Sequence, residues 1–209
     1  MATTLTNKEL FWDGIAKIFT EKQADVRLKP CDDKDEEAAI FAHKILLSAR
    51  SKVFKMIFES DKFKASSMME TVTVEDLNHE ELVAFVEFLY SDGAILSGKA
   101  KKHVVSLYRA AHKYEIPHLG DLCRYVLISS LRSCNALKVL ALSEIPSDDA
   151  LCDAALKVIK THKSTISTSA AFKEFAVLHP VLTVKIMKAI SLKRKPCVHC
   201  QKCKSCDFS

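Results

Sequence analysis

The chain has 209 residues, 48% of them hydrophobic, enough for a substantial core in one domain of ordinary size plus a smaller appendage. No run approaches the roughly 18 uninterrupted apolar residues of a membrane helix, and the opening Met1–Glu9 lacks the basic and apolar regions of a secretory signal, so an intracellular chain without membrane contact is expected. The net charge of +5 is concentrated at the end, where Lys193, Arg194, Lys195, Lys202 and Lys204 against Asp207 leave a nearly neutral body that argues against a nucleic-acid-binding face.

In chain order, Leu10–Phe19 places Phe11, Ile15, Ile18 and Phe19 on one helical face with little sequence of its own to pack on. Asp25-Val26-Arg27-Leu28 alternates as a strand does, and the acidic run of residues 30–37 reads as a solvated hairpin loop. That run has neither the alternating oxygen ligands nor the turn glycine of a calcium loop. A short strand at residues 40–42 then enters a helix, where Leu46, Ala49, Val53 and Ile57 share one face and predict a single long element.

Thr71–Val74 alternates as a third strand. Asn78 with Glu81 three residues on predicts a capped helix, carried by Leu82, Phe85, Val86 and Leu89 and ended at Ser91-Asp92-Gly93. Val104, Leu107, Tyr108 and Ala111 form the next face, which Pro117 is expected to close, and Leu119, Leu122, Cys123 and Val126 mark another. From Ser133 the pattern is helical throughout, with breaks at residues 145–147, at the Ser/Thr-rich run 164–169 and at His179-Pro180.

The four glycines are scattered and make no phosphate-cradling loop, and neither a nucleophile elbow nor a zincin motif is present. His43, His112 and His118 have no companion nucleophile and are expected to pack or cap, not to catalyse. Cys31, Cys123, Cys134 and Cys152 lie on apolar or loop segments and are expected as buried free thiols.

The tail holds Cys197, Cys200, Cys203 and Cys206 with His199 among them. Two-residue gaps suit chelation of a tetrahedral ion, and nearby lysines lower thiol pKa values. Structural zinc sites, however, usually separate their ligand pairs by a dozen residues or more. The expectation is a cysteine-rich tail and no cofactor, with zinc as the alternative, while iron–sulfur ligation lacks shielding sequence. Lys193-Arg194-Lys195 is a short basic motif of nuclear-import type.

Four ordered segments resemble the BTB/POZ family: Asp25-Val26-Arg27-Leu28, Phe41-Ala42-His43-Lys44 running on to Ser48-Ala49-Arg50-Ser51-Lys52-Val53-Phe54, Phe88-Leu89-Tyr90-Ser91-Asp92-Gly93, and Leu107 to Leu119. The resemblance implies an α+β BTB/POZ fold, a small three-stranded sheet surrounded by helices, followed by a short all-α extension of BACK-like character. The implied division is an N-terminal dimerisation helix at 1–21, the BTB/POZ domain at 22–132, the helical extension at 133–192 and the basic cysteine-rich tail at 193–209.

The same resemblance implies a non-catalytic homodimer whose interface includes Phe11, Ile15, Ile18 and Phe19, with Asp25 and Lys44 forming a charge pair beside it. It implies a cullin-3 ubiquitin ligase adaptor, with Met56, Phe58, Phe63 and Tyr108 facing the scaffold and an unknown substrate protein held elsewhere. Many such adaptors have a hydrophobic residue followed two places later by glutamate. Here Ala65 stands where that glutamate would follow Phe63, and Met68-Met69-Glu70 fits only with a longer loop. Alternative functions are a transcriptional co-regulator dimer and a metal- or redox-responsive protein acting through the tail.

The tail offers almost no apolar surface after Leu192. Removing residues 193–209 is therefore expected to leave the melting temperature nearly unchanged in a thermal scan. A large loss that tracks release of one zinc ion would identify the tail as a structural metal site instead.

Overall fold

The computed structural model describes residues 24–32, 39–60 and 69–191, together with 6, 10 and 14. Three strands, β1 (Val26–Pro30), β2 (Ile40–Ala42) and β3 (Glu70–Val74), form one sheet in the order β2-β1-β3. β1 runs antiparallel to β2, with Val26 opposite Ala42, and parallel to β3, with Val26 opposite Glu70. Alternation sends Val26, Leu28, Ala42, Val72 and Val74 into the core, while Arg27, Phe41, Thr71 and Thr73 face the other way.

A parallel pair needs a crossover, and two short helices lie on it: α1 (Lys44–Arg50) and α2 (Lys52–Glu59). The single long helix expected from Leu46, Ala49, Val53 and Ile57 is thus divided at Ser51, whose backbone is extended at φ −139° and ψ 123°. The break changes which side chains are buried. Leu47 and Phe54 enter the core, whereas Ala49 stays exposed and Leu46, Val53 and Ile57 are half-buried.

Ser51 is itself buried, 1% exposed. Its Oγ accepts the Phe54 N–H at 3.1 Å, which caps α2, and donates to the Tyr114 carbonyl at 2.5 Å. Beneath this junction Phe54 stacks on Tyr114 at 4.8 Å and on Phe58 at 5.9 Å, with Phe85 tilted against Phe54 and Tyr114. Burial pushes the Tyr114 hydroxyl up to about 12, with Asp76 and Glu75 adding to the shift.

α3 (His79–Tyr90) carries the expected capping box. Asn78 Oδ1 accepts from Glu81 N–H and Glu81 Oε2 accepts from Asn78 N–H, each at 3.0 Å. The acidic run before β2 is more than a solvated loop, since Asp32 Oδ1 accepts the His79 N–H at 3.1 Å and serves the same helix start. Leu82, Phe85, Val86 and Leu89 are all buried, and past the helix end Gly93 adopts φ +74°.

α4 (Gly98–Lys102) leads into α5 (Val104–Lys113) and α6 (Pro117–Ser129). Leu107, Tyr108 and Ala111 are buried as their spacing requires. Pro117 does not close α5 but opens α6, at its first position. α5 is closed by Glu115 at φ +50°, with Ile116 N–H bonded to Ala111 O and Glu115 N–H to His112 O, the hydrogen-bond pair of a Schellman ending.

The chain divides into two compact units, Met1–Ser130 with Ile145–Ser147, and Leu131–Glu144 with Asp148–Ser209. The second unit contains α7 (Ala136–Leu142), α8 (Asp149–Thr161), α9 (Lys163–Ser167), α10 (Ala170–Leu178) and α11 (Pro180–Ser191). The Ser/Thr-rich run, expected as a break, holds the short helix α9, and Ser169 caps α10 by accepting from Phe172 N–H. Leu140, Leu151, Ala155, Ile159, Phe175, Leu182 and Ile186 are buried there. Of the four cysteines expected to be buried, Cys123 and Cys152 are, while Cys31 and Cys134 are exposed, because both lie outside the helices.

Ser51→Ala removes a helix cap and leaves the buried Tyr114 carbonyl without that donor. It is expected to cost about 1–3 kcal/mol, read as a lower urea midpoint at unchanged slope.

Candidate interaction surface

The sheet ends where β1, β2 and β3 bring Asp25, Lys44 and Glu70 together. Asp25 precedes β1 and Lys44 is the first residue of α1. The Asp25 Oδ1 accepts the Lys44 backbone N–H at 2.7 Å, so its carboxylate serves the start of α1. The Lys44 ammonium reaches the Glu70 Oε2 at 3.2 Å. The pair implied by the resemblance is therefore a three-residue arrangement in which Asp25 contacts the Lys44 main chain and Glu70 takes the charge. Met68-Met69-Glu70 reads by residue type as a loop motif, and it is the β1–β3 register that sets Glu70 within reach of Lys44.

His43 and Tyr90 tie this corner to the end of α3. The Tyr90 hydroxyl accepts the His43 backbone N–H at 2.9 Å and lies 2.8 Å from His43 Nδ1. Desolvation raises the Tyr90 pKa, the His43 N–H opposes that shift, and the Asp25 charge adds to it. Arg50 holds the same region from α1, with its Nε donating to Leu89 O at 3.1 Å and its Nη2 bonded to Ser91 O. His118 Nε2 lies 2.6 Å from Gly93 O, while the His112 ring meets Tyr108 edge-on at 4.8 Å. The three histidines pack and cap.

Two apolar side chains that sequence patterning did not select stand beside this corner. Phe41 is 61% exposed and Ile45 is 72% exposed. Phe41 points outward because Ala42 points inward. Strand alternation alone contained that signal. An apolar hollow of about 270 Å³ opens beside Phe41, lined also by Ile40, Val83, Val86 and Tyr90.

α2 supplies a second exposed face. Phe54 is buried and Phe58 half-buried against it, which turns Met56 outward at 59% exposure, next to exposed Lys52, Lys55 and Glu59. Tyr108 does not join this face. It is fully buried, on the same stripe of α5 as Leu107 one residue before it and Ala111 three residues after it, and so offers a partner no contact.

Phe63 falls outside the described residues, as do Phe11, Ile15, Ile18 and Phe19 and the tail cysteines Cys197, Cys200, Cys203 and Cys206. Among the described residues no group of three or more His, Cys, Asp or Glu side chains is placed to hold a metal ion, and no helix is long and apolar enough to cross a membrane.

The sequence profile of the BTB/POZ domain matches residues 17–131. Proteins of Arabidopsis thaliana named as BTB/POZ domain-containing align along most of the chain. One is 56% identical over 206 residues, covering 95% of this chain and 98% of the relative. A second is 52% identical over 187 residues, covering 88% and 83%, and a third is 39% identical over 188 residues, covering 90% and 87%. The three-stranded sheet, the helices around it and these matches agree: the chain belongs to the BTB/POZ family, whose domains are generally non-catalytic modules of protein–protein interaction and dimerisation.

Proposed function

We propose that this protein is a substrate adaptor of a cullin-3 ubiquitin ligase, acting as a homodimer. The observation that carries the reading is the two-sided α2: Phe54 locks one side into an aromatic cluster and Met56 stands out on the other. A short amphipathic helix held in this way is a ready partner for an apolar groove, and the family membership supplies the class of partner. The adaptor would bring client and scaffold together, so that ubiquitin transfer is accelerated by proximity without a catalytic residue of its own.

Burying a side chain the size of Met56 or Phe63 contributes roughly 1.5–3 kcal/mol, or about one to two orders of magnitude in affinity. Met56→Ala and Phe63→Ala are each expected to weaken binding to purified cullin-3 N-terminal repeats tenfold or more in biolayer interferometry, with circular dichroism unchanged. Absence of any association with the wild-type chain would remove the adaptor reading.

The dimer reading draws on the stripe Phe11, Ile15, Ile18 and Phe19 and on the exposed Phe41 and Ile45. The intact chain is expected to sediment as a dimer. Deleting residues 1–20, or replacing Phe41 and Ile45 by glutamate, should shift it toward monomer. A monodisperse monomer of the intact chain at micromolar concentration contradicts this.

A further inference from the structure

α11 is apolar on two sides and covered on one. Leu182 and Ile186, four residues apart, are buried in the second unit, while Val181, Val184 and Met187 stand on the outer side, each more than half exposed. At the turn before α11, Val177 and Leu178 of α10 are 81% and 73% exposed. A helix apolar on both sides is ordinarily buried on both. Side chains exposed to this degree project outward, and together these five form a ridge suited to entering another apolar phase.

The charges around the ridge select its occupant. From Phe175 to Cys206 the chain has no Asp or Glu, while Lys185, Lys188, Lys193, Arg194 and Lys195 crowd the end of α11 and the residues directly after it. Lys185 is engaged on α8, where its ammonium donates to Cys152 and faces Asp149 and Asp153. Lys188 makes no ion pair among the described residues, and its long stem lets the ammonium reach past the ridge. A second copy is a poor occupant, because it would set this basic stretch against its own duplicate. Nucleic acid would use the cations and leave the ridge uncovered. An anionic lipid surface uses both at once, the ridge entering the acyl boundary and the cations meeting the headgroups.

We propose that the α10–α11 turn and the outer side of α11 dock this protein peripherally on an anionic membrane surface, with Lys188, Lys193, Arg194 and Lys195 supplying the charge. Docking of this kind needs no membrane-spanning helix, so the expectation of a chain without membrane contact, which follows from the lack of an apolar run, does not bear on it. Nor does it depend on the adaptor reading above.

The test is co-sedimentation of the full chain, under reducing conditions, with vesicles of phosphatidylcholine alone or with about one third phosphatidylserine. Binding is expected to the anionic vesicles only, and to weaken as salt rises. Lys193→Gln, Arg194→Gln and Lys195→Gln together should lower partitioning about a hundredfold, roughly fivefold for each cation. Val181→Gln with Val184→Gln, both at exposed positions, should lower it about tenfold or more at unchanged net charge. Circular dichroism should match the wild type in both variants.

The proposal is overturned if neither vesicle binds at about 1 mM lipid, which would give the ridge to a protein partner, or if neutral vesicles bind as well as anionic ones. It is also overturned if the valine substitutions leave binding intact while the charge substitutions abolish it, since the cations would then be meeting any polyanion and the ridge would have no part in the contact.

Discussion

The extended conformation of Ser51 is the constraint on which the interaction surface depends. Had the helix begun at Lys44 continued through residue 57, Leu46, Ala49, Val53 and Ile57 would have formed one buried stripe. The break at Ser51 resets the helical phase, so that Leu47 packs in one helix and Phe54 in the next. Phe54 then occupies the centre of the Phe58, Phe85 and Tyr114 cluster, and Met56, two residues on, is turned outward. A polar residue at 1% exposure is tolerated there because both functions of its hydroxyl are used, one toward Phe54 and one toward Tyr114.

Much of this fold was legible in the sequence. β1 and β3 announce themselves by alternation, and the Asn78–Glu81 capping box, the buried face of α3 and the left-handed Gly93 follow from residue type and spacing. What was not legible depends on tertiary partners. Periodicity runs on unbroken across Ser51, since nothing local in Ser48-Ala49-Arg50-Ser51 forbids a helix; the break is stabilised by the Tyr114 carbonyl, 63 residues away. Pro117 suits a helix end or a helix start equally well, and the non-glycine Glu115 at φ +50° gave no sign that α5 closes there.

The site was less legible than the fold. Met56 and Phe58 share α2, yet only Met56 faces outward while Phe58 stacks on Phe54, and Tyr108, which the resemblance sets on a surface, lies in the core where its spacing puts it. The Asp25–Lys44 relation likewise depends on the fold and not on residue type. Backbone-to-carboxylate contact at 2.7 Å cannot be told from side-chain pairing by residue type, and Glu70 enters only once the β1–β3 register sets it opposite Val26.

The Ser51 hydroxyl also decides what α2 is referenced to. Its start is tied to the C-terminal end of α5 through Tyr114, and its inner face rests on Phe85 of α3, so among the described residues it is held from the helical side of the domain. Changes at the exposed positions Lys52, Lys55, Met56 and Glu59 therefore alter the outward face of α2 and leave these anchoring contacts in place. Exposed substitutions of this kind usually shift stability by no more than about 0.5 kcal/mol, so the chemistry of that face can drift one side chain at a time over an unmoved helix.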